Sequence, residues 1–472
     1  MDTSDRAPMV RNALREADVI SVAVTEEENS NIMTELEDAC AVSSNLSEAH
    51  TLMSFLKCNI GTGMLSMPVV LKYCGLWTGF FLIFVAGVIS AYLMHVIVRT
   101  ARSVVERHNL DRSKMDYTET VFSVFKYGPV PFRKSKGKIK HMVNAFLIVV
   151  QIGCLCVYLL FLTENIRYFV RSFLPDQPQN FYLIGFLVTL LLIPLCWSLD
   201  MRILARLSLI ANIATMIGTI LVLAYLLTAG LQPYNTFPAY TNFQNLLIGF
   251  SIVIFAFEGI GMVLPIENKM AHPRGYTDLS GVLNVGMVVV VCVCASVGFF
   301  GFLNAGDNAQ GSITLTIPER PFWFAPIKPL FIFAILVSYL VQYYIPAIIF
   351  ARLMEKLRCH REASEKRRFI HIKTMRVSLV LFTYLMVITI PKLDLMISLV
   401  GAWSSSVLAF VLPSVLEVVH LWSERHLLKY FWLKVVVKDV LFIVIGVIAF
   451  VGGTVATVMQ LIQSLQSTPT FE

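Results

Sequence analysis

Between residues 51 and 462 the chain alternates eleven long apolar runs with shorter polar stretches: 51–73, 76–100, 141–170, 181–199, 207–230, 242–265, 278–303, 326–353, 374–391, 395–419 and 436–462. A helix needs ~20 apolar residues to cross a bilayer, so the pattern predicts an all-α polytopic membrane protein of about eleven transmembrane helices. Two of the runs are interrupted. Gly61, Thr62 and Gly63 fall inside the first, and Glu258, Gly259, Ile260 and Gly261 inside the sixth.

A break in a spanning helix frees backbone N–H and C=O groups that lipid cannot satisfy, so it must face protein, water or a ligand. Paired breaks at corresponding places are a mark of secondary transporters built from inverted repeats. Five runs on either side of residue 235, an odd number, give opposed halves, with repeat one over 51–230 and repeat two over 242–419. The run 436–462 is then an added helix, followed by a short tail, 463–472. Ten residues on each side of Gly61–Gly63 make ~15 Å of helix apiece, which puts the break near mid-membrane. Glycine lets the chain leave helical geometry there. The half-helix beginning near Met64 would direct free N–H groups inward, suited to a carboxylate. The half-helix over 243–256 would present carbonyls, suited to an ammonium. Together they describe a site for a zwitterion, hence an amino acid. The plainer alternative is that these small residues serve only close helix packing.

Glu258 lies among Ile254, Phe255, Ala256 and Phe257, where a carboxylate in lipid costs ~2.5–3.5 kcal/mol, so it is expected to face the bundle interior. Lys57, one turn before Gly61, is the nearest cation on the facing broken helix. Glu258 is therefore expected either to pair with Lys57 or to exchange a proton as the site opens and closes. A permanent ion pair tying the two helices together is the architectural alternative.

Charge sets the orientation. The stretch 102–140 carries Arg107, Arg112, Lys114, Lys126, Arg133, Lys134, Lys136 and Lys138, and 352–376 is similarly basic. The segments 172–180 and 231–241 contain no Lys or Arg, and 304–325 only Arg320. By the positive-inside rule the N-terminus is cytoplasmic and the C-terminus faces the exterior or a lumen. This bias accounts for the net charge of +7, and no nucleic-acid partner is needed to explain it. Residues 1–50, with acidic stretches and no apolar run, read as a disordered cytoplasmic tail, and Asn45 in its sequon as a chance match on the wrong side. The tail lacks the basic region and apolar core of a cleavable signal peptide, so the first run itself would direct insertion.

The nine cysteines and nine histidines yield no metal-ligand spacing. Cys154 with Cys156, and Cys292 with Cys294, are two residues apart and so turn to different helix faces. The chain shows no nucleophile–base set or phosphate loop; no catalytic residues, no metal and no cofactor are expected, and the chain is read as no enzyme.

The segment Leu56-Lys57-Cys58-Asn59-Ile60-Gly61-Thr62-Gly63-Met64-Leu65 with Pro68, and Phe257-Glu258-Gly259-Ile260-Gly261 followed by Leu264-Pro265-Ile266-Glu267-Asn268, resemble the proton-assisted amino-acid transporters of the amino acid/auxin permease superfamily. Asp116-Tyr117, Gly311-Ser312-Ile313-Thr314-Leu315 and Ile397–Gly401 with Ser404, Ser405 and Ser406 extend the resemblance from about Ser54 into the tenth run. It implies an eleven-span carrier of small neutral amino or imino acids with broken helices 1 and 6, proton-driven in many members, at the plasma membrane or on lysosomes and endosomes. Where several proton-coupled members carry histidines, this chain has Ser54 and Tyr92. His95, one turn past Tyr92, is a titratable substitute. Tyr158 and Gln151 on the third run, and Gln342, Tyr343 and Tyr344 on the eighth, are further polar candidates. Phe257 is a candidate lid over the substrate.

The expected site is thus Gly61, Thr62, Gly63, Phe257, Gly259, Gly261, Tyr158 and Tyr343 around the amino acid, with Glu258, Lys57 and His95 coupling protons. Alternatives are sodium coupling, which needs an oxygen cage between the first and eighth runs, facilitated exchange without an ion, and an amino-acid sensor that signals through the N-terminal tail.

Overall fold

The computed structural model describes residues 47–173, 179–198, 201–317, 324–355, 364–426 and 430–466. Most of the acidic tail, Asn45 with it, and residues 467–472 lie outside the described residues. Among the described residues there is no strand, and nine helices are long and apolar enough to cross a membrane. The fourth run forms a shorter apolar helix, Phe181–Ser198. The first is divided into Glu48–Asn59, Thr62–Leu65 and Met67–Cys74. Together these are the eleven spans expected.

Helix ends differ from the apolar runs because helices continue past the hydrocarbon layer. The first begins at Glu48, inside the stretch expected to be tail, where Ser47 caps it by accepting from His50 N. The second continues to His108 and stops at Asn109, whose φ of 48° is left-handed. The third starts at Lys136. Between them, the basic stretch expected as a loop holds a helix, Tyr117–Tyr127, capped by Asp116 accepting from Glu119 N at 2.7 Å. Its apolar face is buried, and the Tyr117 hydroxyl donates to Leu408 O of the tenth span at 2.7 Å. Asp111, capping a 3-10 turn just before it, accepts from Ser113 Oγ and N, and these bonds hold its carboxyl below the usual carboxylate range.

The two broken spans run antiparallel against each other through the centre of the bundle. Cys74 lies against Gly249 and Leu246, Gly63 against Ala256, and Asn59 against Gly259. That register brings the breaks to one level. In lipid, where tails are as apolar as side chains, such association relies on close packing, and small residues permit it. A Cβ on Gly63 would stand 2.6 Å from Ala256 Cα, so only glycine allows the two backbones to meet here. The tenth span lies beside them and carries two π-helical turns, Gly401–Ser405 and Val407–Val411, a distortion that often marks functional sites. The eleventh packs on the sixth and tenth from outside, where Thr457 and Ser398 share a 2.7 Å hydrogen bond.

The end remote from the basic stretches is closed. Gly75, at φ 93°, turns the first span into the second directly beneath the Ala239 backbone, a conformation and an approach that a side chain would prevent. Pro238 O and Ala239 O accept from Leu76 N and Thr78 N at 3.0 and 3.1 Å. Lys72 Nζ donates to Ala309 O at 3.0 Å, and Tyr73 OH to Asp394 Oδ2 at 2.5 Å.

Candidate functional site

The first span leaves helical geometry at Ile60 (φ −93°, ψ 102°) and Gly61 (φ −162°, ψ −146°) and resumes at Thr62. Four consecutive N–H groups, those of Gly61, Thr62, Gly63 and Met64, donate to no acceptor among the described residues. The sixth span stops at Ala256 and resumes at Ile260. Phe257 N turns to Val253 O and Glu258 N to Phe255 O, so the carbonyls of Ile254 and Ala256 accept nothing among the described residues. Unpaired buried peptide groups are rare because each costs about as much as a lost hydrogen bond. Here donors and acceptors gather across one narrow interval, between helices whose register is fixed by Gly63 against Ala256.

Asn59 adds an acceptor that reading of the sequence passed over. Its Nδ2 donates to Phe55 O at 2.9 Å, while its buried Oδ1 has no partner and lies against Gly259. A polar residue inside an apolar run, two positions before the break, was the signal available. Gly61 and Gly261 have open space where a Cβ would stand. Gly63 and Gly259 do not, so these two also serve close packing, the plainer alternative considered above.

Glu258 is half-buried and accepts a short hydrogen bond from Ser405 Oγ on the π-helical part of the tenth span. Lys57 does not pair with it. The ammonium turns the other way and donates to Ser208 Oγ on the fifth span. The reason is rotational: Lys57 and Asn59 are 200° apart on the helix, and Asn59 is the one facing the sixth span. Tyr158 and Cys154 on the third span interact electrostatically with Glu258.

Three expected residues lie elsewhere. The Phe257 ring is wedged toward Gly87 of the second span and is buried, so it fills space between helices. Tyr343 stacks near Tyr339 and donates to Arg376 O of the ninth span at 2.8 Å, facing the fourth and ninth spans. His95 bonds Asn284 of the seventh span at 2.8 Å and has no contact with Glu258. Gln151 and Gln342 bond each other between the third and eighth spans.

Access is uneven. On the first span, residues 62–71 beyond the break are buried, while Met53, Ser54, Lys57, Cys58 and Gly61 form one accessible stripe on the near side. A matching stripe on the sixth runs through Glu258, Gly261, Met262 and Pro265. Beyond the break, Ser66 Oγ donates to Gly311 O at 2.6 Å, and Thr314 Oγ1 to Asn165 Oδ1 of the third span at 2.7 Å. The Gly311–Leu315 motif is therefore tied to the first and third spans beyond the break. At the basic end, Glu267 is buried and takes Arg102 Nε at 2.6 Å and Arg112 Nη2 at 2.5 Å, while Arg102 also reaches Thr277 and Pro273 O. A cleft of about 80 Å³ opens beside this ion-pair group. It lies six residues from Gly261, ~9 Å along the helix, and is distinct from the space at the breaks.

A family profile described as "Transmembrane amino acid transporter protein" matches residues 44–459. The chain is similar to a "Probable amino acid transporter skat-1" of Caenorhabditis elegans, 27% identical over 423 residues that cover 89% of this chain and 91% of that protein. It is also similar to a "Proton-coupled amino acid transporter-like protein pathetic" of Drosophila melanogaster, 27% identical over 426 residues, 88% and 85% of the two chains.

Proposed function

The chain belongs to the transmembrane amino acid transporter family, and from that premise we propose that it carries small neutral amino or imino acids by alternating access, coupled to protons. The observation that carries this reading is the set of unpaired peptide groups between the two breaks. The N–H groups of Gly61 to Met64 bind the substrate carboxylate, and the carbonyls of Ile254 and Ala256 with Asn59 Oδ1 bind its ammonium. Both charged ends thereby exchange water for fixed dipoles, which cost no reorganisation when the substrate arrives. Tyr158 and Ser405 border the space left for the side chain.

The basic stretches support a cytoplasmic position for that end and for the N-terminus. The opposite end then faces the exterior or the lumen of a lysosome or endosome, and the accessible stripes lead from the breaks toward the cytoplasm. Glu258 is the proton carrier of the cycle. Ionised, it takes the Ser405 hydroxyl as donor; protonated, it becomes a donor itself, so a proton changes the tie between the sixth and tenth spans. The Drosophila relative's name supports protons over sodium.

The test is radiolabelled proline, alanine and tryptophan flux in proteoliposomes, with and without an imposed pH gradient and with choline replacing sodium. Acceleration by an inward proton gradient, unchanged in choline, is the expected result. Glu258→Gln should retain flux and lose its pH dependence, whereas Lys57→Met, which removes the hydrogen bond to Ser208, should keep the wild-type pH profile. Flux indifferent to the gradient would establish facilitated exchange instead, and pH-dependent flux surviving in Glu258→Gln would remove Glu258 from the coupling.

A further inference from the structure

The second, tenth and eleventh spans meet at a charged cluster that the transport site does not use. Asp439 on the eleventh span is wholly buried, and neither of its carboxyl oxygens accepts a hydrogen bond among the described residues. Lys438 Nζ stands 3.4 Å from Asp439 Oδ1 and 2.8 Å from Glu417 Oε2 of the tenth span. The same ammonium donates to the Tyr92 hydroxyl, which is itself 3.5 Å from Glu417 Oε2. Glu417 and Asp439 thus flank one ammonium. With no proton between them, the two carboxylates can only repel.

Counting charge decides what is missing. Two carboxylates against one ammonium leave a buried site one positive charge short, and an uncompensated charge in such a place is strongly disfavoured. The neighbours do not supply it. His420, one turn past Glu417, is held by Ser103 Oγ at 2.9 Å. Lys434, one turn before Lys438, is exposed. On the second span His95 faces Asn284, and the sixth span brings Glu258 to Ser405. A sodium ion would need a cage of oxygens, but the Lys438 ammonium already occupies the space the oxygens surround.

We propose that one of the carboxyls of Asp439 and Glu417 holds a proton beside Lys438, making this junction a proton-binding site separate from Glu258. The proton comes from water and forms an O–H bond on one of the two carboxyls. The charges then balance, as in carboxyl pairs that cannot both ionise at close range. Because Asp439 and Lys438 belong to the helix outside the two repeats, the site ties that helix to the second and tenth spans in a protonation-dependent way.

Infrared difference spectroscopy on the purified full chain tests this, in a Glu258→Gln background so that the transport carboxyl does not contribute. The protonated-carboxyl band should be lost in Asp439→Asn, and also in Glu417→Gln, because either change leaves one carboxylate against one ammonium. Lys438→Gln should retain the band, which keeps the test decisive if one carboxyl variant does not fold. Persistence of the band in both carboxyl variants would overturn the proposal. So would its removal from the parent by sodium in place of choline at constant pH, which would assign the site to a metal cation.

Discussion

Replacing Gly63 with alanine tests the register on which the whole site rests. The new Cβ would stand 2.6 Å from Ala256 Cα, 2.8 Å from its Cβ and 3.3 Å from its N. These neighbours are mostly backbone, so no rotamer change relieves the contact. Ordinary contact begins at 3.4 Å, so the first and sixth spans must part by about 0.8 Å at the level of the breaks. Overpacking of this kind costs about 1–3 kcal/mol. Here the displacement also moves the N–H groups away from the carbonyls they must face across the substrate. If that energy is taken from the bound state, affinity falls about 5- to 150-fold. Equilibrium binding of the amino acid giving the largest flux, measured on purified protein alongside its melting temperature, reads both effects. Gly61→Ala and Gly261→Ala are the controls: their Cβ atoms meet nothing within 4 Å, so both should melt like the wild type. If Gly63→Ala binds and melts as the parent does, the spans do not meet as described and the site geometry is wrong.

Glu267→Gln removes the shared partner of Arg102 and Arg112, and should lower stability by about 1–3 kcal/mol, less than for a fully buried pair because both arginines are partly exposed; an unchanged melting temperature would show the ion-pair group to be ornamental. At the other end, Tyr73→Phe and Asp394→Ala delete the same hydrogen bond. A double-mutant cycle should therefore give a coupling of about 1.5–3 kcal/mol, the range for a bond to a charged acceptor. Additive effects would mean the two residues act separately.

The eleven spans and both breaks were legible because they depend on runs of residue type, which one-dimensional periodicity records. Helix ends were less so, since the second and third helices extend into basic, water-facing stretches where hydropathy carries no signal. The site itself was half legible. Glycines and Glu258 announce themselves by being costly in lipid. Which way a side chain points depends on how far each helix is rotated, and a run that is apolar all round does not disclose it. Rotation is what sends Lys57 to Ser208, the Phe257 ring toward Gly87, Tyr343 to Arg376 O and His95 to Asn284. Asn59 was missed for the same reason, and Ser405 was noticed through family resemblance without its partner being evident.

The two ends of the molecule are secured very differently, one by a glycine turn and ties from Ser66, Lys72 and Tyr73, the other by one acidic side chain between two arginines. A carrier so biased spends most of its idle time turned toward one compartment. Cargo arriving from the other side meets only the minority of molecules able to receive it, and its apparent dissociation constant rises in inverse proportion to that fraction. The same protein would thus look like a weak binder from one face of the membrane and a strong one from the other, without any difference in the grip itself.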